Sequence, residues 1–438
     1  MPYLLNVIYI LLIIAAMPWL VWSAVRKGKY REGFAAKFLG RVPSRDSEKP
    51  CLWLHAVSVG EVNLLAPLIK ELRRQRPDLQ CVISTTTMTG MVLARKKYAE
   101  QTVFYCPLDF SWAVRAAMRR IRPDMLVLAE LELWPNLIRA AKQHGARVAV
   151  INGRLSEHSF RGYRRIRPLV GRLLGQIDLV AVQDATYGER FRELGTPPDV
   201  LHVTGSMKYD GAQTDRQNPK TEELRQLARL TDEHLVLLAG STQDPEESIV
   251  LDVFRRLSAD WPQLRLVLVP RHPDRFAAVG RLLDQSDIHW QRRTELSPST
   301  NNNFRVLLVD VVGELGAWWG TAQLAFVGGS FGDRGGQNMI EPAGYGAAVS
   351  FGPNTRNFRD IVTTMLAHDA AAVVEDGQAL EQFLRRCLET PDYAQALGDR
   401  AQKLVLEQLG ATERTCRLLG ELVRQPTPSN GACPRDAA

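Results

Sequence analysis

From Cys51 onward the chain alternates short apolar runs with amphipathic stretches, and it does so in two series. The first series predicts strands at Leu52–Val59, Cys81–Thr86, Val103–Cys106, Met125–Ala129, Arg147–Ile151, Leu179–Val182 and Leu201–Val203. Helical spacing lies between them, as in Val62–Arg74 and Asn136–Gln143. The second predicts strands at His234–Ala239, Leu264–Val269, Arg305–Val309, Leu324–Val327 and Ala348–Phe351. Short runs apolar on both faces, alternating with helices, belong to parallel sheets covered on both sides. The stretch 209–231 is polar, lacks a strand pattern and reads as an interdomain linker. The expected fold is α/β: two doubly wound Rossmann-like domains, 26–208 and 232–424, facing across a cleft. Terminal helices complete the second, and 425–438, rich in Pro, Ser and Gly, is expected to be a disordered tail. Ligands of such sheets collect outside the strand C-termini.

Charge narrows the partners. Residues 1–219 hold 32 Lys and Arg against 19 Asp and Glu, while residues 220–438 hold 23 against 29. Only the first half suits an acidic partner, whether anionic lipid, a phosphorylated substrate or nucleic acid. Residues 1–25 carry no charge, and Tyr3–Trp22 is strongly polar only at Asn6. Twenty residues at about 1.5 Å each just span a hydrocarbon core of about 30 Å. Arg26, Lys27, Lys29 and Arg31 follow, which by the positive-inside rule leaves the remainder in the cytoplasm. The expectation is a membrane-anchor helix over 1–25, spanning rather than lying in the interface. A cleaved signal peptide fits less well, because no basic residue precedes the run. Such an anchor argues against nucleic acid as the partner. The cysteines stand at no metal-ligand or redox spacing and read as reduced thiols. With no Asp-x-Asp pair, no metal is demanded.

Several strand ends carry chemistry. His55-Ala56-Val57-Ser58-Val59-Gly60-Glu61 places a carboxylate at a strand C-terminus, where it could accept a proton from a hydroxyl. Ser58-x-x-Glu61 is equally a capping box. Glu130-Leu131-Glu132-Leu133-Trp134-Pro135-Asn136 supplies two more acidic groups, one of which could cap the next helix. Asn152, Arg154 and Ser156 line the same cleft or form a polar loop. Arg161, Arg164 and Arg165 share a helical face that could bind phosphate or simply be solvated. In the second half, Gly240-Ser241-Thr242 precedes an acidic helix and suits a phosphate. Arg271 is a candidate anion ligand, His272 a ligand or a structural histidine. Gly313-Glu314-Leu315 opens a helix. The run Phe326-Val327-Gly328-Gly329-Ser330-Phe331 through Gly335-Gly336-Gln337-Asn338-Met339-Ile340-Glu341-Pro342 allows close backbone approach to a ligand, with Glu341 able to accept ribose hydroxyls.

Together these segments, with Val203–Asp210, Phe351-Gly352-Pro353 and Asn357-Phe358, resemble the 3-deoxy-D-manno-octulosonic acid (Kdo) transferases of lipopolysaccharide assembly. The resemblance runs to about residue 420. It implies an inverting GT-B glycosyltransferase moving Kdo from CMP-Kdo onto a lipid A precursor (lipid IVA), a diphosphorylated acylated glucosamine disaccharide, at the cytoplasmic face of a Gram-negative inner membrane. Domain 26–208 would take the acceptor and 232–424 the donor. The resemblance assigns Glu61 as general base and Glu130 and Lys208 as transition-state stabilisers. It assigns donor contacts to Ser241, Thr242, Arg271, His272, Gly313, Glu314, Leu315, Gly329, Asn338 and Glu341. Acceptor contacts fall to Ser58, Gly60, Asn152, Arg154 and Arg161. CMP-Kdo is a substrate, membrane lipid a partner, and no cofactor is implied. Two positions depart from the family pattern: Gln243 and Gln337 stand where it often has His. The rival readings are a membrane-surface GT-B transferase using a UDP-sugar and a non-catalytic membrane-anchored nucleotide-binding protein.

Overall fold

The computed structural model describes residues 2–27, 32–297 and 304–424. The expected tail 425–438 and the basic residues Lys29 and Arg31 lie outside them. The chain forms two compact units, one from the residues up to Asp210 together with those from Leu409 on, the other from Gly211–Gln408.

The first unit is built on β1 (Cys51–His55), β2 (Gln80–Thr85), β3 (Thr102–Tyr105), β4 (Met125–Ala129), β5 (Arg147–Gly153), β6 (Leu179–Val182) and β7 (Leu201–Val203). All pairings are parallel, in the order β3-β2-β1-β4-β5-β6-β7. Because side chains alternate along a strand, β1 feeds two cores. Leu52 and Leu54 join Leu65 and Leu68 of the helix Val59–Gln75, while Trp53 joins Val114 and Met118 of the helix Ser111–Ile121. Each fully buried side chain of this kind contributes about 1.5–3 kcal/mol. The first expected strand stops four residues early. Its apolar run continues to Val59, but the capping box Ser58–Glu61 starts the helix at Val59.

The last helix, Ala411–Arg424, was expected within the second domain and packs on the first unit instead. Cys416, Leu419 and Leu422 enter the core beside Leu68 and Leu72. Asp210 fixes its start by accepting the amides of Gly410, Ala411 and Thr412 at 2.6, 3.2 and 2.5 Å. An amphipathic helix shows its apolar stripe but not which sheet covers it.

The N-terminal apolar run is a helix, Pro2–Lys27. Among the described residues no helix is long and apolar enough to cross a membrane, so the spanning anchor expected over 1–25 is not upheld. The physical reason lies in its two polar early side chains. Asn6 is buried against Ser111, and the Tyr9 hydroxyl donates to Asp109 at 3.0 Å. The first turns thus belong to the α/β unit.

The second unit holds β8 (Leu235–Thr242), β9 (Leu264–Pro270), β10 (Trp290–Arg292), β11 (Val306–Leu308), β12 (Leu324–Val327), β13 (Ala348–Phe351) and β14 (Ala372–Val373). It is again all parallel, ordered β10-β11-β9-β8-β12-β13-β14. The short strands β10 and β14 lie at its two edges and give no sequence pattern of their own. The expected linker 209–231 is part of this unit from Gly211 on and includes the helix Pro219–Leu227, capped by Asn218. Its polarity is turned inward. Arg216 donates to the carbonyls of Tyr345, Gly320 and Ala322 at 2.7, 2.9 and 2.8 Å.

Candidate active site

The strand order reverses between β1 and β4 in the first unit and between β8 and β12 in the second. Loops leaving two such strands diverge, and the crevice between them is where open α/β sheets bind ligands.

At the β1/β4 reversal the segments leaving the strands carry Glu61, in the first turn of the helix Val59–Gln75, and Glu130. Glu61 completes the capping box: its Oε1 accepts from the Ser58 hydroxyl at 2.7 Å and the Ser58 amide at 3.2 Å, its Oε2 from the Val57 amide at 2.9 Å. Burial pushes this carboxyl above the ordinary range; the Ser58 and Val57 donors oppose that, and the Glu130 charge adds to it. Ser58 and Gly60 themselves are exposed. The Val57 carbonyl is pinned by Thr85 and Thr87 hydroxyls at 3.1 and 2.9 Å, which fixes the turn.

Glu130 sits in the left-handed region, φ 58°, and is buried. Its Oε2 takes Arg154 Nε at 2.6 Å, and its Oε1 faces Lys208 Nζ at 3.3 Å. Asn152, φ 52°, accepts the Met207 amide at 3.0 Å and so holds the segment carrying Lys208. Its Nδ2 is buried with no partner among the described residues. Glu61, Glu130, Lys208, Arg154 and Asn152 therefore belong to one linked group. Arg161 is not drawn into it: it pairs with Glu157 at 2.9 Å on an exposed helix.

Glu132 was legible only as half of an acidic pair, one member of which could cap the following helix. Neither member does. Asp109 accepts the Asn136 and Leu137 amides at 3.0 and 2.8 Å, a partner 27 residues upstream that no local pattern reveals. Glu132 instead accepts the Trp134 indole at 2.7 Å. Burial pushes its carboxyl up to about 7 against that hydrogen bond, with the Glu61 and Glu130 charges adding to the rise. Beneath it, the buried His55 ring meets Trp134 edge-on at 5.9 Å and Ser84 Oγ at 2.9 Å. Burial holds His55 down to about 4, so it is neutral near pH 7.

At the β8/β12 reversal the main polar group is a carboxylate that the sequence reading did not select. Glu246 is 1% exposed. Its oxygens accept the amides of Gly329, Ser330, Phe331 and Gln243 at 2.7, 2.8, 3.0 and 2.9 Å, tying the two loops together. Several glycines here serve close packing. A methyl group at Gly328 would meet Thr242 Cα at 2.6 Å, and at Gly240 it would collide with the Trp319 ring. A methyl group at Gly329, φ 67°, would lie 3.2 Å from Gln337 and 3.4 Å from Gln243, so the two departures from the family pattern flank one glycine. Ser241 is left-handed, φ 57°, and the Thr242 hydroxyl is buried without a partner among the described residues. Arg271 and His272 are exposed on the loop after β9. Glu341 accepts Asn338 Nδ2 at 3.0 Å; burial pushes its carboxyl up, opposed by that bond and by the Arg271 charge. Gly313, φ 97°, has open space around it, whereas Glu314 is held by Arg293 in a two-pronged pair at 2.9 and 2.8 Å. Leu315 begins a helix of four residues.

Two kinds of comparison bear on this arrangement. A family model described as 3-deoxy-D-manno-octulosonic-acid transferase (kdotransferase) matches residues 31–211. The 3-deoxy-D-manno-octulosonic acid transferase of Haemophilus influenzae is 32% identical over 399 residues, covering 90% of this chain and 92% of its own. The chain belongs to the Kdo transferase family. A Bordetella pertussis member is 30% identical, with coverage of 92% and 95%. Among solved structures, the UDP-GlcNAc 2-epimerase of Neisseria meningitidis bound to UDP-GlcNAc superposes with a TM-score of 0.53 at 13% identity, covering 85% of this chain and 100% of that one. That likeness is one of fold, two Rossmann-like α/β domains of the GT-B kind. Family membership makes this Kdo transferase a glycosyltransferase, and the carboxylates at the β1/β4 reversal lie in the region matched by the family model.

Proposed function

We propose that this Kdo transferase takes Kdo from CMP-Kdo and places it, with inversion, on a phosphorylated acylated glucosamine disaccharide of the lipid A precursor type at the cytoplasmic face of the inner membrane. The observation that carries the reading is the carboxylate group at the β1/β4 reversal. Glu61 is buried, pushed above its ordinary range and preceded by the exposed residues 58–60, a setting that suits a general base. It takes the proton of the acceptor hydroxyl, whose oxygen attacks C2 of Kdo as CMP leaves. Glu130, held by Arg154 and Lys208, keeps two cations beside the reacting groups. In the second unit Arg271, His272, Thr242, the Gly313–Leu315 segment, Asn338 and Glu341 receive the nucleotide. Cationic side chains meet the developing phosphate charge, and the reading calls for no cofactor.

Turnover tests this. Purified protein in detergent receives CMP-Kdo generated in situ and a tetraacylated lipid A precursor, and mass spectrometry reads the lipid. The expected product carries added Kdo, and the Glu61→Gln variant forms it about 10²–10⁴-fold more slowly. Activity with a UDP-sugar instead would overturn the donor, and full activity of the variant would leave Glu61 as a helix cap.

A further inference from the structure

One buried carboxylate joins the N-terminal helix to the segment that carries Glu130 and Glu132. Asp109 is 5% exposed. Its Oδ1 accepts the Leu137 amide at 2.8 Å, and its Oδ2 accepts both the Asn136 amide and the Tyr9 hydroxyl at 3.0 Å. Asn136 Nδ2 donates back to the Asp109 carbonyl at 2.6 Å. These amides open the helix Pro135–Gln143 and have no partner within it. Two residues on, the Ser111 amide donates to Asn6 Oδ1 at 2.9 Å, and Asn6 Nδ2 donates to Ser111 Oγ at 2.8 Å. The Tyr9 ring meets Phe110 edge-on at 6.1 Å. Asn6 and Tyr9 thus grip residues 109–111 from one side, and Asp109 grips 136–137 from the other. Trp134, whose indole holds Glu132, directly precedes that helix.

An apolar helix that served only to meet lipid would gain nothing from two side chains committed to a buried carboxylate and a helix start. We infer that Asn6 and Tyr9 are positioning residues: Tyr9, acting through Asp109, and Asn6, by holding Ser111 two residues on, fix the start of the helix Pro135–Gln143 and with it the Glu130–Trp134 loop. The inference deepens the proposed function and rests on that loop serving the transfer.

The test uses the full chain in detergent with Tyr9→Phe, which keeps the ring and removes the donor, and Asp109→Asn as a second variant. Hydrogen exchange is followed in peptides covering 130–138, kcat and the KM for the donor are measured, and sedimentation with phosphatidylethanolamine–phosphatidylglycerol vesicles is compared. Loss of one such hydrogen bond predicts exchange in 130–138 faster by roughly 3- to 10-fold and a kcat lower by a similar factor. KM and sedimentation hold; Asp109→Asn, which leaves one of the two helix amides without an acceptor, speeds exchange at least as much, and Tyr9→Phe adds little on top of it. Unchanged exchange in both variants overturns the inference, as does a loss confined to vesicle binding. Faster exchange with unchanged kcat overturns its catalytic half. Absence of Kdo transfer by the wild type defeats the proposed function, while the exchange result still decides the coupling.

Discussion

At the β1/β4 reversal, burial raises the carboxyls of Glu61 and Glu132, the Glu130 charge adds to both, and only part of their hydrogen-bonding capacity is met by fixed backbone. At the β8/β12 reversal, Glu246 is more deeply buried and accepts four backbone amides. Both places have the same sheet topology. The difference teaches how to tell a working carboxylate from a clamp. Backbone donors converging on one ion stabilise its charge and lock two loops. Burial together with like charges in a shared pocket raises a carboxyl, as at Glu132, which reaches about 7.

Substitutions break this contrast to different degrees. The largest effect is expected for Glu61→Gln, which keeps a cap acceptor for Ser58 and removes the proposed base: turnover falls by about 10²–10⁴-fold while the urea midpoint barely moves. Glu246→Ala should do the opposite. It strands four amides, those of Gly329 and Ser330 buried, and urea unfolding should show a loss of about 3 kcal/mol. Gly240→Ala, driving a methyl into the Trp319 ring, is expected to cost about 1–3 kcal/mol, read from the same curves.

A pH experiment sharpens the comparison further. The Glu132 carboxyl rises from 4.5 to about 7 on folding, so the native state binds the extra proton between those values. Stability from this group is present below pH 4.5 and is lost as the pH rises through about 7. Urea unfolding of wild type against Glu132→Gln should therefore converge at low pH and separate toward pH 8, the variant being the more stable there. A pH-independent difference would place the shift elsewhere. The smallest effect belongs to Arg161→Ala. Its exposed pair with Glu157 is worth about 0.2–1 kcal/mol at most, and turnover with a saturating acceptor should be near wild type.

Much of this was legible in the sequence. Central strands such as Met125–Ala129 and Leu324–Val327 fall where their apolar runs predict, because a strand buried on both faces leaves a local, unbroken signature. Ser58-x-x-Glu61 announced a cap, and the cap forms. The edge strands β10 and β14 were not legible, since pairing with a neighbour, rather than a run of their own, defines two- and three-residue strands. Nor was the inward turn of Arg216 in a stretch that reads as linker.

The sequence by itself determined the two α/β series, the strand ends that carry Glu61 and Glu130, and the family, because each is written in contiguous residues. Tertiary structure alone decided which of several acidic residues share a pocket. It gave the cap of the helix Pro135–Gln143 to Asp109, the terminal helix to the first unit, Asn6 to Ser111 and Tyr9 to the buried Asp109 carboxylate. The reason is physical. Hydrogen bonds and burial are settled by neighbours distant in the chain, and a carboxylate's proton affinity follows the charges and donors that packing brings to it.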